Sequence, residues 1–532
     1  MTRMTKSAFL AVLLAGASVG TLAMSSSAWA VTRGGTLTYG RYADSIFLDP
    51  VFADSNPDIW VLTNLYDTLL LPSDNGTGVV PGLAQSWAIG PDGKTVTLTL
   101  RKGIEFSDGS PITPADVKWS LDRARKPGNG IWGFDVESID TIETGANTVT
   151  LKLKHPDPAI LAGLTVFNTA IMPEKAVEAA AGVSDEDKAK SFAEHPIVSG
   201  AYMLKSWDRG STMKLVRNPH YWRKGEDGKP LPYLDGVTFE VIPDDATRIL
   251  KLQSGELDGA EFIPYARVAE LQADPNINME LLPSTRVTAL VLNIRPKLED
   301  GSDNPLSKVE VRQALNYATD KNGIIEIVTH GVAKPSGSFM SSSTPFYSGT
   351  APVYTYDPAK AKALLAKAGY SNGITLTLDT LAGNQDQIGI STALQQMWSQ
   401  VGVKLNIDQV DNATRLAHYT KGKYSAQYTI WTDDIADPNE ITSYFAYFPH
   451  IQSLHSGWNN DEVNKLFEAS QSEMDTSKRA DEYKRIQEIY NQSSPLVYLY
   501  ESPYAVALRK SVKGFRQIPL GLNDFQAAYI QK

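Results

Sequence analysis

The 532-residue chain contains no cysteine. That absence excludes a disulfide framework, thiol catalysis, thiolate metal sites and a lipid-modified N-terminal cysteine. Histidine is scarce as well, with seven residues at His155, His195, His220, His330, His418, His450 and His455. None makes a His-Glu-x-x-His motif or an i, i+4 pair, and the spacing of His450 and His455 suits a shared helical face poorly, so no metal centre is expected. There is no Gly-x-Ser-x-Gly elbow. Gly93-Lys94-Thr95 matches only the end of a phosphate-binding loop, because the required upstream glycine is Ala88, and the setting is a turn. The 39 glycines and 30 prolines are spread along the chain, with no low-complexity tract or short repeat. These gaps argue against an enzyme and imply no cofactor.

What is present begins with an export signal. Arg3 and Lys6 precede an apolar run from Ala8 to Val19, and Ala28-Trp29-Ala30 carries small residues where a signal peptidase reads. The run is too short to span a bilayer comfortably and no comparable stretch follows, so residues 1–30 are expected to be cleaved. The product would be a free, soluble periplasmic protein, neither lipoprotein nor membrane-spanning. The net charge is −10, and removing Arg3 and Lys6 leaves 48 basic and 60 acidic residues, net −12. This balance repels nucleic acid and anionic lipid surfaces and weakly favours cationic ligands. A chain this long exceeds the size at which one core stops growing, so two or three lobes are expected.

The most informative segment is residues 81–125. Val96, Leu98 and Leu100 alternate with threonines as in a strand with one buried face, after an Asp92-Gly93 turn. A helix start follows, with Thr113 as cap, Pro114 at the first position and Asp116 three residues beyond the cap. Read whole, this segment resembles the corresponding part of the extracytoplasmic solute-binding proteins of ABC importers, family 5, the peptide, nickel and opine group. Ser199-Gly200-Ala201-Tyr202, residues 217–222 (RNPHYW) and residues 253–258 (QSGELD) resemble further landmarks of that family.

The resemblance implies an α/β, bilobal periplasmic-binding-protein fold of type II, cluster C, with an extra inserted lobe and a two-crossing hinge. Residues 31–75, 196–285 and 511–532 would form lobe I, residues 76–195 the inserted lobe and residues 286–510 lobe II, with crossings near 284–288 and 508–512. From the residues themselves, a helical pattern covers 59–70, the Ala- and Glu-rich stretch 173–193 reads as helix, and β/α alternation begins near Thr288. There LVLNI is a continuous apolar strand and Asp357 caps a helix that Gly369 ends, while residues 374–381 and 403–410 read as strands of a mostly parallel sheet.

The strongest ligand candidate is residues 428–438, YTIWTDDIADP, where an aromatic strand ends at Trp431 and Asp433, Asp434 and Asp437 crowd the following loop. Ligands meet α/β sheets at such strand ends. One acid, Asp437, suffices as a helix cap, which leaves the cluster able to hold a cation. By the family's pattern, the aspartate that holds a peptide's α-ammonium falls on Asp434. The arginine that pairs with a dipeptide's carboxylate has no counterpart in residues 380–387, TLAGNQDQ. An amide replaces neither its charge nor its fork. Strict dipeptide specificity is therefore not expected, Asn384 and Gln387 become candidate hydrogen-bonding residues, and Arg295 is a candidate substitute cation. Phe47, Trp132, Phe134 and Trp431 are candidate aromatic walls.

The expected function is delivery of a peptide or peptide-like amine-bearing solute to an ABC permease and ATPase by a monomeric binding protein that closes over its ligand. The alternatives are the same role for an oligosaccharide or opine, a periplasmic hydrolase of the same build, and a peptide-holding chaperone.

Overall fold

The computed structural model describes residues 31–53, 55–298, 301–349 and 354–531. The expected signal segment lies outside the described residues. Three sheets organise the chain. The smallest of them is the four-stranded antiparallel sheet of Ala84–Ile89, Thr95–Leu100, Thr148–Leu153 and Ile139–Thr144, in that spatial order. Val96, Leu98 and Leu100 pair with Val149, Leu151 and the Asn147 turn, and their buried faces meet Val117 and Leu121 of the helix Pro114–Ala124. Thr113 and Asp116 cap that helix reciprocally: the Thr113 hydroxyl accepts from the Asp116 N–H, and the Asp116 carboxylate accepts from the Thr113 N–H at 3.0 Å.

Chain on both sides of this unit builds a seven-stranded sheet in the order Ile277–Leu282, Tyr504–Arg509, Gly259–Ala260, Thr36–Arg41, Gly236–Val241, Thr212–Arg217, Tyr202–Asp208. The third sheet has six strands, in the order Lys334–Pro335, Leu496–Glu501, Val287–Leu292, Ala426–Trp431, Ile374–Leu381, Val403–Val410. Its central strand shows why LVLNI lacks alternation. Leu290 and Leu292 face a core with Leu376, Leu378 and Trp398, whereas Ala289 and Val291 face a second core with Tyr483, Tyr490 and Tyr498. Both faces of the strand are covered, so the run from Ala289 to Leu292 is apolar at every position.

Several expectations are corrected. The six-stranded sheet is mixed: only Ile374–Leu381 pairs in parallel, with Val403–Val410 and Ala426–Trp431, and the remaining pairings are antiparallel. Its β/α alternation covers one edge, and the central strands come from crossings rather than from helix-linked units. The chain leaves the seven-stranded sheet at Leu282 and enters the six-stranded one at Val287. It returns between Glu501 and Tyr504, earlier than 508–512, because Tyr504–Arg509 pairs with Ile277–Leu282 and Gly259–Ala260. The strand is buried from Tyr504 to Leu508, so its residues do not mark the change of sheet. The first helix runs Asn56–Leu65 and yields to a strand at Leu70. The 173–193 stretch divides into Glu174–Glu178 and Asp185–Ala193, the second with its own capping box from Ser184 and Asp187, after Gly182 at φ +144°. Among the described residues no helix is long and apolar enough to cross a membrane.

Thr113→Ala removes one half of the reciprocal cap and is expected to lower stability by about 1 kcal/mol, read as a lower midpoint in urea unfolding with an unchanged slope.

Candidate functional site

A cavity of about 560 Å³ lies between residues carried by the two larger sheets. This volume is within the range of small-molecule sites. Tyr42, Trp60, Glu261 and Phe262 line one side, Asn384, Asp386, Gln387, Tyr428 and Ile430 the other, and Arg286, Ser502 and Tyr504 sit where the chain crosses. The aromatic surface is built tightly, with Trp60 stacked on Phe262 at 5.5 Å and Tyr42 tilted against it at 4.6 Å. The Arg286 guanidinium stands 5.4 Å over the Phe262 ring, and its charge pulls down the carboxyl of Asp386 on the same cavity, against burial that pushes it up.

Asn384 and Gln387 line this cavity, but each holds its own strand-to-helix turn. The Asn384 Oδ1 accepts from the Gln387 N–H at 3.0 Å, capping the helix Gln385–Ser399, and the Gln387 Oε1 accepts from the Leu381 N–H at 2.8 Å. Arg295 lies elsewhere, donating to the His455 carbonyl at 2.7 Å and to Gln452 Oε1 at 2.9 Å. Arg286 is the cation that reaches the cavity. Its signal was its position within the expected hinge, just after Pro283-Ser284-Thr285.

The three clustered aspartates separate into three environments. Asp437 is neutralised by a bidentate pair with Arg479, at 2.6 and 2.8 Å, and also accepts from the Asn439 N–H. Asp433 is fully buried, its N–H donates to Thr285 Oγ1 at 2.9 Å, and its Oδ2 accepts from Thr344 at 2.6 Å. Burial pushes its carboxyl up to about 8. Asp434 is half-buried at the loop tip, its N–H donating to Glu440 Oε2 at 2.9 Å. Burial raises the Asp434 carboxyl, against a hydrogen bond with Glu440 that lowers it. Glu440 is itself raised well above the carboxylate range by burial and then by Asp434, Asp135 and Asp433. Thus Asp434 faces acids, and none of the groups that shift it is a cation.

Trp431 belongs to this acidic end. Its ring meets Tyr444 at 4.7 Å, Tyr444 meets Phe134 at 5.9 Å, and Phe134 meets Trp132 at 6.3 Å. Trp132 is two rings away from Trp431 and is anchored by donating to the Ala53 carbonyl at 3.1 Å. Phe47 packs on Phe52 at 6.1 Å and is not among the cavity walls. Tyr504 links the two regions: it lines the cavity, and its hydroxyl responds to Arg286 on one side and to Asp434 and Asp433 on the other. Glu440, Asp135 and Tyr504 went unnoticed in the sequence because each sits in an ordinary helical, turn or strand context. Among the described residues no group of three His, Asp or Glu side chains is arranged to hold a metal ion.

Two large α/β sheets joined by two crossings, a third antiparallel sheet inserted in the first and a cavity walled from both sides define a solute-binding clamshell. The sequence profile described as bacterial extracellular solute-binding proteins, family 5 (middle) matches residues 78–452, and the chain belongs to that family. It is 30% identical over 490 residues to the "Probable D,D-dipeptide-binding periplasmic protein DdpA" of Escherichia coli K12, covering 90% of this chain and 91% of the relative. Its fold is similar to that of the periplasmic binding protein DppA of Helicobacter pylori, solved with the peptide STSA, at TM-score 0.80, 25% identity and coverage of 94% and 99%. It is also similar to AgaA of A. tumefaciens R10, solved with agropinic acid, at TM-score 0.78, 28% identity and coverage of 94% and 99%.

Asp433 carries a pH prediction. Its folded-state pKa lies above the unfolded value of 3.8, so the folded state binds the extra proton, and this stability is complete below that value and is lost as pH rises toward about 8. Ligand-free protein is expected to melt progressively lower between pH 5 and pH 8, and Asp433→Asn to flatten that slope in calorimetric scans.

Proposed function

We propose that this protein is the periplasmic solute-binding component of an ABC importer and that its ligand is a small zwitterionic solute, a peptide or peptide-like conjugate with a free amine. One observation carries the reading: Tyr504, a wall of the cavity, lies between the charge of Arg286 and that of Asp434, which is not itself a cavity wall. Asp434 is raised by burial with no cation among the groups that shift it, and Arg286 lines the cavity with Asp386, whose carboxyl its charge pulls down against burial. A ligand ammonium at Asp434 and a ligand carboxylate at Arg286 would neutralise both. The peptide-binding names of the relatives support the ligand class.

An opine-like conjugate is the second reading. The family's carboxylate-binding arginine is absent from residues 380–387, and the chain shares 28% identity with the agropinic-acid-bound AgaA. In either case the protein binds rather than turns over its ligand, is exported by a cleaved signal without a lipid anchor, acts as a monomer, and hands its ligand to a permease and ATPase in the inner membrane. The two crossings at residues 283–286 and 502–503 serve as the hinge, because a ligand that touches both walls favours the closed form.

Calorimetry with Ala-Ala tests the assignment. Asp434→Asn is expected to weaken binding by about 2–5 kcal/mol, since it leaves the ammonium without its buried partner. Arg286→Gln should weaken Ala-Ala while sparing its C-terminal amide. Full affinity in a folded Asp434→Asn protein removes Asp434 from the site, and hydrolysis of Ala-Ala by the pure protein decides for an enzyme.

A further inference from the structure

On its seven-stranded-sheet side the cavity carries two buried side-chain oxygens to which no described residue donates a hydrogen bond. Glu261 follows the strand Gly259–Ala260, Gln517 ends the short strand Arg516–Gln517 of the C-terminal segment, and both line the cavity. Glu261 is 2% exposed with Oε1 unpartnered, and Gln517 is 9% exposed with Oε1 unpartnered. We infer that Glu261 and Gln517 form a specificity floor that accepts hydrogen bonds from a neutral donor on the solute's side chain, a carboxamide or a hydroxyl. This rests on the zwitterionic solute proposed above and adds to it the chemistry of the part that lies away from the ammonium.

The two residues share a neighbour. Gln517 pairs in register with Asn523, and the Asn523 Nδ2 reaches Glu261 Oε2 at 3.4 Å, so both acceptors belong to one patch of wall. A buried acceptor without a donor costs free energy that a ligand's donor recovers, and a site built this way rejects an analogue that lacks the donor. Other amides of the cavity are not free for the task. Asn384 and Gln387 each accept from a backbone N–H of their own turn.

Charge decides which donor fits. Glu261 already has its counter-charge in Arg41, a residue 2% exposed whose Nε stands 3.4 Å from Glu261 Oε1, an ion pair that leaves this oxygen without a hydrogen bond. The Arg41 Nη atoms donate instead to Ser45 Oγ at 3.3 Å and to the Pro57 carbonyl at 2.7 Å. Burial raises the Glu261 carboxyl, and Arg41, Arg248 and the Tyr42 N–H pull it down. A cationic side chain would add its charge to those of Arg41 and Arg248, and an anionic one would face the carboxylate with no donor to offer. A neutral N–H or O–H adds a hydrogen bond and leaves the balance as it is. Phe262, next to Glu261 in the chain, stacks on Trp60 at 5.5 Å and offers a flat apolar surface to the stem of such a side chain.

Calorimetry of the full mature protein with a set of dipeptides tests the floor. Ala-Gln is expected to bind about tenfold or more tightly than Ala-Met, which matches its length and lacks the donor. Ala-Ser is compared with Ala-Ala in the same way, so a preference in either pair supports the floor and tells carboxamide from hydroxyl. Ala-Lys is expected to bind more weakly than Ala-Gln. In the Gln517→Met protein, the wild-type preference is expected to fall by about tenfold. The wild-type comparisons stand whether or not that variant folds. No preference in either pair, tighter binding of Ala-Lys than of Ala-Gln, or a preference that a folded Gln517→Met protein keeps whole overturns the floor and leaves the proposed function standing. Binding of none of these dipeptides by wild type removes both.

Discussion

Carboxylates held out of water without a counter-ion are the constraint on which the rest of this structure turns. A buried carboxyl either finds a cation or takes up a proton. Asp437 follows the first course through Arg479, and Asp433 follows the second, with its carboxyl pushed up to about 8. Asp434 and Glu440 follow the second course too, both raised by burial with no cation among the groups that shift Asp434. These two carboxyls therefore hold protons more readily than free ones, and a cationic group brought to them, as in the proposed function, would take the protons' place.

The architecture makes that requirement mechanical. The loop that bears Asp434 ends a strand of the six-stranded sheet, and the Asp135 turn belongs to the inserted unit. The cavity beside them is walled from both large sheets and from the crossings themselves, through Arg286, Ser502 and Tyr504. A solute that bridges these walls interacts with the closed arrangement and with little of the open one, which is the differential affinity a hinge needs in order to shift. Tyr504 reports this coupling in one side chain. It begins the strand that returns the chain to the seven-stranded sheet, lines the cavity, and responds to both Arg286 and Asp434.

Much of this was legible in the residues because local signals and final structure agree where packing is simple. The Thr113 cap, the Val96 to Leu100 alternation and the Asp357 cap each state a local rule that the structure obeys. Legibility failed where the partner is distant. Tyr504–Arg509 is an apolar strand whose sheet is decided by pairing with residues more than two hundred positions earlier, and no periodicity carries that information. The mixed pairing of the six-stranded sheet escaped notice for the same reason. At the site, Asp434 stood out because three acids crowd one loop. Arg286, Glu440 and Asp135 did not, since their meaning comes from what they face across a gap. The expectation for Arg295 failed on the same ground, for its position after an apolar strand says nothing about which end of that strand meets the cavity.

The most direct measurement is native mass spectrometry of the gently purified protein, followed by denaturing release of whatever it retains and labelling with an amine-reactive acylating reagent before and after release. The account predicts a retained small solute that carries a primary amine, is protected from acylation while bound and labelled once free, and is absent from the Asp434→Asn protein. A retained solute without a primary amine, or one acylated at full rate while bound, would contradict it.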